Sequence, residues 1–401
     1  MKINTSNFTY CTNIHSGENW ADHFNALKEN FPAIKNDLSP GAPMGIGLWL
    51  SNIASIAILE NGNLLIFKQW LKDNDAYIFT MNGFPYGGFH NTIVKEQVHS
   101  PDWTTENRVA YTERLFNILA DLVPPGMDGG ISTSPLSYRG WFHNNQELFE
   151  AKKVATQNIL RVAENLYLMK LTKGINMHLD IEPEPGGLLE TGSEFIEWFE
   201  DVLLQAGRLY FQNQFELTTV EVEKIIKEHI RLCYDVCHFA IGYEPHKEVI
   251  GTLEQKGIKV GKIQISAALK AIFDADGHNK QDILTAFRGF NEPTYLHQVV
   301  ARKRDDSLVR YPDLLDALAA QDHADEWRAH FHVPVFLESF GVLQSTQKDI
   351  VKVLEIHLQK SFTEHLEVET YSWGVLPNEF KLPIVHSIIR ELNWVKDILS
   401  R

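Results

Sequence analysis

Leu232-Cys233-Tyr234-Asp235-Val236-Cys237-His238-Phe239-Ala240-Ile241-Gly242-Tyr243 decides how the chain is read. An apolar run predicts a strand, delivers an acid and an imidazole three residues apart, then turns at a glycine. A carboxylate where a buried strand ends is costly unless it holds a proton, a partner or a metal. Endings of the same kind recur along the chain.

Outward from that stretch, short apolar runs alternate with helical stretches, the rhythm of repeated βα units on a parallel sheet. Strands are expected at Phe8–Ile14, Met44–Leu50, Tyr77–Asn82, Gly129–Ser134, Ile175–Ile181, the opening stretch, Val260–Ile265 and Leu366–Trp373. Helices are expected over Trp20–Phe31, from Ser51, and over 107–122, 146–170, 219–230 and 345–360. Gly174 stands where a helix stop belongs, and Thr191 with Glu194 reads as a capping box. About 268–330 keeps no βα rhythm, and His332–Leu337 reads as a further strand. Eight strands with intervening helices and one late insertion predict an α/β chain folded as a single (β/α)8 TIM barrel over 1–401.

With 44% hydrophobic residues the chain has enough apolar material for a sizeable core. A net charge of −15 without a basic patch argues against nucleic acid and anionic membranes as partners. Three cysteines, Cys11, Cys233 and Cys237, point to a reducing compartment and no disulfide framework. Cys233 and Cys237 lack the spacing of a structural zinc pair. No apolar run is long enough for a membrane span, and Met1 to Asn13 lacks a signal-peptide core. A cytoplasmic protein is expected, with a small-molecule substrate and room for a homodimer.

Chemistry in such barrels sits at the C-terminal strand ends. The fifth strand brings His178, Asp180, Glu182 and Glu184; the sixth Asp235 and His238; the seventh Gln264 and Ser266; the last Glu367 and Glu369. His330 and His332 alternate along the extended run after the insertion. Glu182, Asp235 and Glu369 together would crowd three like charges, which a divalent cation relieves. Oxygen ligands suit Mg²⁺ or Mn²⁺, and imidazoles move the choice toward Mn²⁺, Co²⁺ or Zn²⁺. Glu184 and Glu367 read as solvated, and His178 as packed. Trp49, Phe84, Tyr86, Tyr243 and Trp373 at strand ends either wall a pocket for a sugar-like or aromatic ligand or belong to the core.

Asp235-x-Cys237-His238-x-x-x-Gly242-Tyr243 resembles a signature of the xylose isomerase-like barrel superfamily, which includes sugar isomerases, ketose 3-epimerases and apurinic-site endonucleases. Asp180-Ile181-Glu182-Pro183-Glu184-Pro185, Tyr295-Leu296-His297-Gln298 and Glu369-Thr370-Tyr371-Ser372-Trp373 with Leu376-Pro377 resemble its EboE branch, associated with metabolite traffic and secondary metabolism. The resemblance implies a sugar isomerase or epimerase with Glu182, Asp235 and Glu369 as metal ligands. Glu182 and Glu369 would also be the acid/base pair, and His238 would orient Asp235 or touch substrate. The seventh-strand ligand expected to be histidine is Gln264 here, which binds only through a neutral carbonyl; His332, at a position like an endonuclease zinc ligand, is the substitute. That departure counts against ordinary epimerase activity and keeps a non-catalytic metabolite-binding barrel open. The second and third strand ends offer Trp49 and Asn82 rather than histidines, which counts against an endonuclease-type phosphodiesterase.

Overall fold

The computed structural model describes residues 1–88, 92–274, 276–320, 323–374, 376, 381 and 383–401; Pro377 of the Leu376-Pro377 motif lies outside them. Eight parallel strands, Ser6–Tyr10, Met44–Trp49, Ala76–Asn82, Gly129–Thr133, Met177–Ile181, Ile230–Asp235, Val260–Ile265 and His365–Val368, make the expected barrel. They are called the first to eighth barrel strands below. The second, sixth and seventh are buried at every residue, because side chains of one face fill the barrel while those of the other meet the helices. The eighth pairs with the first and the seventh.

Closure between the first and second strands relies on one bridge, Cys11 with Gly47, and on two threonines. Thr9 Oγ1 donates to the Gly45 carbonyl at 2.8 Å and accepts from the Gly47 amide at 3.2 Å. Thr12 Oγ1 accepts from the Trp49 amide at 2.9 Å. Side-chain oxygens thus satisfy backbone groups at the seam that would otherwise be buried unpaired.

The first and last strands are shorter than the sequence suggests. Cys11 onward turns into a 3-10 segment, Thr12–Ile14, and a second, Tyr371–Gly374, follows the last strand. Helix Asn145–Lys173 starts at Asn144 and stops at Gly174, whose φ of +69° is open to glycine. Thr191 caps its helix through the Glu194 amide, but the Glu194 carboxylate bonds the Glu190 amide instead of completing a box. The reciprocal box belongs to Thr218 and Glu221.

The late insertion is larger than expected. Strands Ala267–Ile272, Val299–Arg302, Leu308–Tyr311, Glu326–Val333, Ser339–Phe340 and Leu343–Ser345 form a second, antiparallel sheet, with helices Lys280–Phe290 and Leu314–Ala320 between them. The run read as a strand from His332 instead ends one, because Glu326–Val333 closes at Val333. Its register on Ala267–Ile272 slips between Ala329 and Val333. That irregularity sits where His330 and His332 face the barrel mouth, a common place for bulges that re-aim side chains.

Candidate metal centre

Asp235 ends the sixth strand and caps the short helix Val236–Ile241. Its Oδ1 accepts from the His238 amide at 3.1 Å and from Ser266 Oγ at 2.7 Å. Its Oδ2 is buried with no hydrogen-bond partner. Glu182 and Glu369 stand beside it, and one carboxylate oxygen from each of the three lies within 4.8 Å of the others. That span is about twice a metal–oxygen bond of 2.0–2.4 Å. Glu182 Oε2 is likewise buried and unpartnered. Burial, then Glu369, Asp235 and Glu184, push the Glu182 carboxyl well above the usual range.

Glu369 is held differently. Asn13 Nδ2 and Asn82 Nδ2 each donate to its Oε1 at 2.7 Å, and Gln264 Nε2 donates to its Oε2. Burial raises its carboxyl, while His332 and the Gln264 bond oppose the rise. The Gln264 amide, expected as a metal ligand, is engaged at both atoms: its nitrogen donates to Glu369, and its oxygen accepts from Cys233 Sγ at 2.9 Å.

Three histidines form the other half of the site. His238 Nδ1 bonds the Pro183 carbonyl at 3.1 Å, His330 Nδ1 bonds Gln298 Oε1 at 2.7 Å, and His332 Nδ1 meets the Glu369 carbonyl at 3.2 Å. Gln298 is fixed in orientation because its Nε2 donates to the Pro185 carbonyl at 2.8 Å. Each partner is an acceptor, so each Nδ1 carries a proton and each ring presents its Nε2 lone pair. Those lone pairs converge: His238 Nε2 is 3.1 Å from His330 Nε2 and 3.4 Å from His332 Nε2. Burial keeps His238 and His330 below the ordinary imidazole range. Imidazoles oriented through Nδ1 and converging through Nε2 are a donor set for a cation. The residues present fit a divalent metal.

Glu184, read from sequence as solvated, is buried here, with His99 Nε2 at 2.9 Å and His238 Nε2 at 4.0 Å. The alternation along Asp180-x-Glu182-x-Glu184 was its signal. His99 and Asn13 sit on irregular segments and carried none. Glu367 is not solvated either: it is fully buried against Lys262 at 3.2 Å. His178 is packed as expected.

A cavity of about 60 Å³ lies over these groups, with Phe84, Lys95, His99, Tyr295 and Tyr371 in its wall. The amides of Val94 and Lys95 donate to the Thr294 carbonyl and tie the two roof segments together. Of the aromatic residues considered from sequence, only Phe84 lines this space. Trp49 is core, its Nε1 donating to the Pro85 carbonyl. Tyr86 packs on Tyr111. Tyr243 lies under Arg328, 4.0 Å from its ring, at the insertion. Trp373 lines an adjoining groove with His15 and Tyr371.

No family model and no curated protein matches the chain. Among solved structures, it is similar to a xylose isomerase-like TIM barrel protein from Mycobacterium smegmatis in complex with magnesium, at 9% identity and TM-score 0.51, over 98% of this chain and 96% of that one. A D-tagatose 3-epimerase-like protein matches at 10% identity and TM-score 0.48, over 98% and 97%. An IOLI protein with a zinc atom matches at 12% and 0.45, over 98% of each. The fold is that of the xylose isomerase-like barrels. Among the described residues no helix is long and apolar enough to cross a membrane.

Proposed function

We propose that the chain is a metal-dependent isomerase or epimerase of a small polyhydroxylated molecule. The observation that carries this reading is the buried triad of Glu182, Asp235 and Glu369 facing three imidazole lone pairs. Asp235 and Glu369 with His238 and His332 would hold the ion. A divalent cation there, of the Mg²⁺, Mn²⁺, Co²⁺ or Zn²⁺ class, would polarise a carbonyl–hydroxyl pair and acidify the C–H beside it. Glu182 is the proton carrier: its Oε2 is buried without a hydrogen-bond partner, and burial beside Glu369 and Asp235 raises its carboxyl, so it holds a proton more readily than a free glutamate. Glu369, gripped by three amides, is an oriented ligand rather than a second mobile base. This differs from the paired-glutamate roles that the sequence resemblance implied. Likeness to the EboE motifs supports a substrate drawn from secondary metabolism, and the magnesium complex of the similar barrel supports the metal.

The cavity is far below the roughly 300–1,000 Å³ of typical ligand sites. The Val94–His99 and Thr294–Gln298 segments must therefore part to admit a sugar. The test is deuterium wash-in: Mn²⁺-loaded protein with a panel of ketoses and keto-glycosides in D₂O, read by NMR. Exchange at the carbon next to the carbonyl is expected, falling at least ~100-fold in Glu182→Gln. Equal exchange by both proteins refutes the role given to Glu182.

A second reading, a metal phosphoesterase, draws on the histidine trio, which supplies more nitrogen ligands than an isomerase ion needs. Hydrolysis of bis-p-nitrophenyl phosphate that is lost in His330→Asn, with no deuterium exchange on any ketose, would favour it.

A further inference from the structure

At the opposite end of the barrel from the mouth, Asp128 precedes the fourth strand, His178 is near the start of the fifth, and His365 opens the eighth. One ligand atom from each lies within 4.8 Å of the others. His178 Nε2 is 3.6 Å from Asp128 Oδ2, and His365 Nε2 is 3.6 Å from Asp128 Oδ1. Both rings are buried, His178 at 0% and His365 at 1% exposure, yet His178 Nε2 and both nitrogens of His365 make no hydrogen bond of ordinary length, and Asp128 stands off at 3.6 Å from each ring. Orphaned imidazole nitrogens in a barrel floor cost free energy unless something satisfies them.

The orientation of His178 says what that is. Its Nδ1 meets Asp180 Oδ1 at 2.5 Å. With the proton of that short contact on Nδ1, the Nε2 lone pair is aimed at the Asp128 carboxylate. Lone pair against carboxylate is repulsive, and a cation between them reverses the sign. A carboxylate behind an imidazole whose far nitrogen faces a ligand position is the arrangement that orients metal-bound histidines. Arg231 Nη1 donates to Asp128 Oδ2 at 3.1 Å, which fixes the carboxylate while Oδ1 stays turned toward His365. Asp128 is 22% exposed, so the site opens to solvent on that side. Tetrahedral bonds of about 2.0–2.1 Å place ligand atoms roughly 3.3–3.4 Å apart. Each histidine is 3.6 Å from its own Asp128 oxygen, a few tenths of an ångström beyond that, and the three ligand atoms lie within 4.8 Å of one another.

We propose that Asp128, His178 and His365 form a second, structural cation site at the barrel floor, independent of the mouth. Two imidazoles and one carboxylate suit a late first-row divalent ion of the Zn²⁺ or Co²⁺ class. The ion ties the starts of the fourth, fifth and eighth strands together, with a water or solvent-facing position as its fourth ligand.

The test uses the full chain dialysed against Zn²⁺, metal counted by mass spectrometry, and crystals examined for zinc anomalous scattering. An anomalous peak is expected about 2 Å from His178 Nε2, His365 Nε2 and an Asp128 oxygen. Asp128→Asn and His365→Asn should each lose one equivalent of zinc relative to wild type, while Glu182→Gln leaves the floor peak in place. Asp128→Asn is isosteric at a partly exposed position, so it folds even if His365→Asn does not. No peak at the floor, or an unchanged zinc count in Asp128→Asn, overturns the proposal: the cluster is then a hydrogen-bonded plug around Arg231.

Discussion

Glu367→Gln tests the charge buried in the barrel. Lys262 Nζ and Glu367 Oε2 are 3.2 Å apart, with both side chains at 0% exposure. Among the described residues, the ammonium also donates to the Met81 carbonyl, at 3.4 Å. Burial pushes the Lys262 pKa down, but Glu367, followed by Cys233, Cys11 and Asp180, outweighs it and sets it above the usual lysine value. Glutamine keeps the shape and removes the charge, so no cavity enters the argument. Removing one partner of a buried pair costs roughly 3–5 kcal/mol. For 401 residues at about 2.1 cal/mol/K each, the unfolding entropy is about 0.8 kcal/mol/K, so Tm should fall by about 4–6 °C. The pH dependence supplies a signature. In wild type, the raised lysine pKa gives stability that is fully present below about 10.4 and fades only as pH rises through the folded value. In Glu367→Gln the ammonium has lost its partner and burial drives its pKa down. The unfolded chain then binds more protons than the folded one, and the variant regains stability between pH 7 and 10. Lys262→Met with Glu367→Leu, which replaces the pair by apolar groups, should melt near wild type or above it. Calorimetry from pH 7 to 10 reads all three proteins. A Glu367→Gln melting point within 1 °C of wild type, with no narrowing of the gap at high pH, would refute a charged buried pair.

Two further outcomes bear on the mouth and the seam. In metal-free protein the raised Glu182 pKa means the folded state binds its proton more tightly than the unfolded state, so stability falls as pH rises from about 4.3 through the folded value. Melting wild type and Glu182→Gln in chelator over that range should show a shallower decline in the variant, and parallel curves would exclude the shift. At the seam, a Cβ on Gly47 would come within 2.8 Å of the Glu367 carboxyl carbon and of the Tyr10 carbonyl. Gly47→Ala should therefore lower Tm by at least ~1–2 °C, the effect of roughly 1–3 kcal/mol of overpacking, and a neutral result would mean the seam can widen.

How much of this the sequence carried follows from strand depth. The rhythm of apolar runs placed all eight barrel strands, with Met44, Asn82, Val260 and Ile265 at ends that agree with the structure. The seam, the insertion's sheet and the histidine trio depend on long-range pairing, which periodicity does not encode. The two-residue alternation along a strand also hides a choice. Three strands each carry a same-face polar pair: Asp180 and Glu182, Lys262 and Gln264, Glu367 and Glu369. Two residues are about 6.6 Å of depth, and side chains two apart point the same way. The upper members, Glu182, Gln264 and Glu369, meet at the mouth, where Gln264 holds Glu369. The lower members are walled inside the barrel, where Lys262 pairs with Glu367 and Asp180 with His178. Which member of a pair becomes a ligand and which becomes core is set by how far each strand is staggered against its neighbours, and stagger is a property of barrel closure rather than of any one strand. That is why Glu367 reads as a solvated acid in isolation, although it is buried against Lys262. The same stagger brings His178 and His365 to one level at the floor, where Asp128 meets them. A closed barrel thus exposes the alternating polar pattern at both ends, and polar groups that are unexplained at the mouth's level have a second place to be sought.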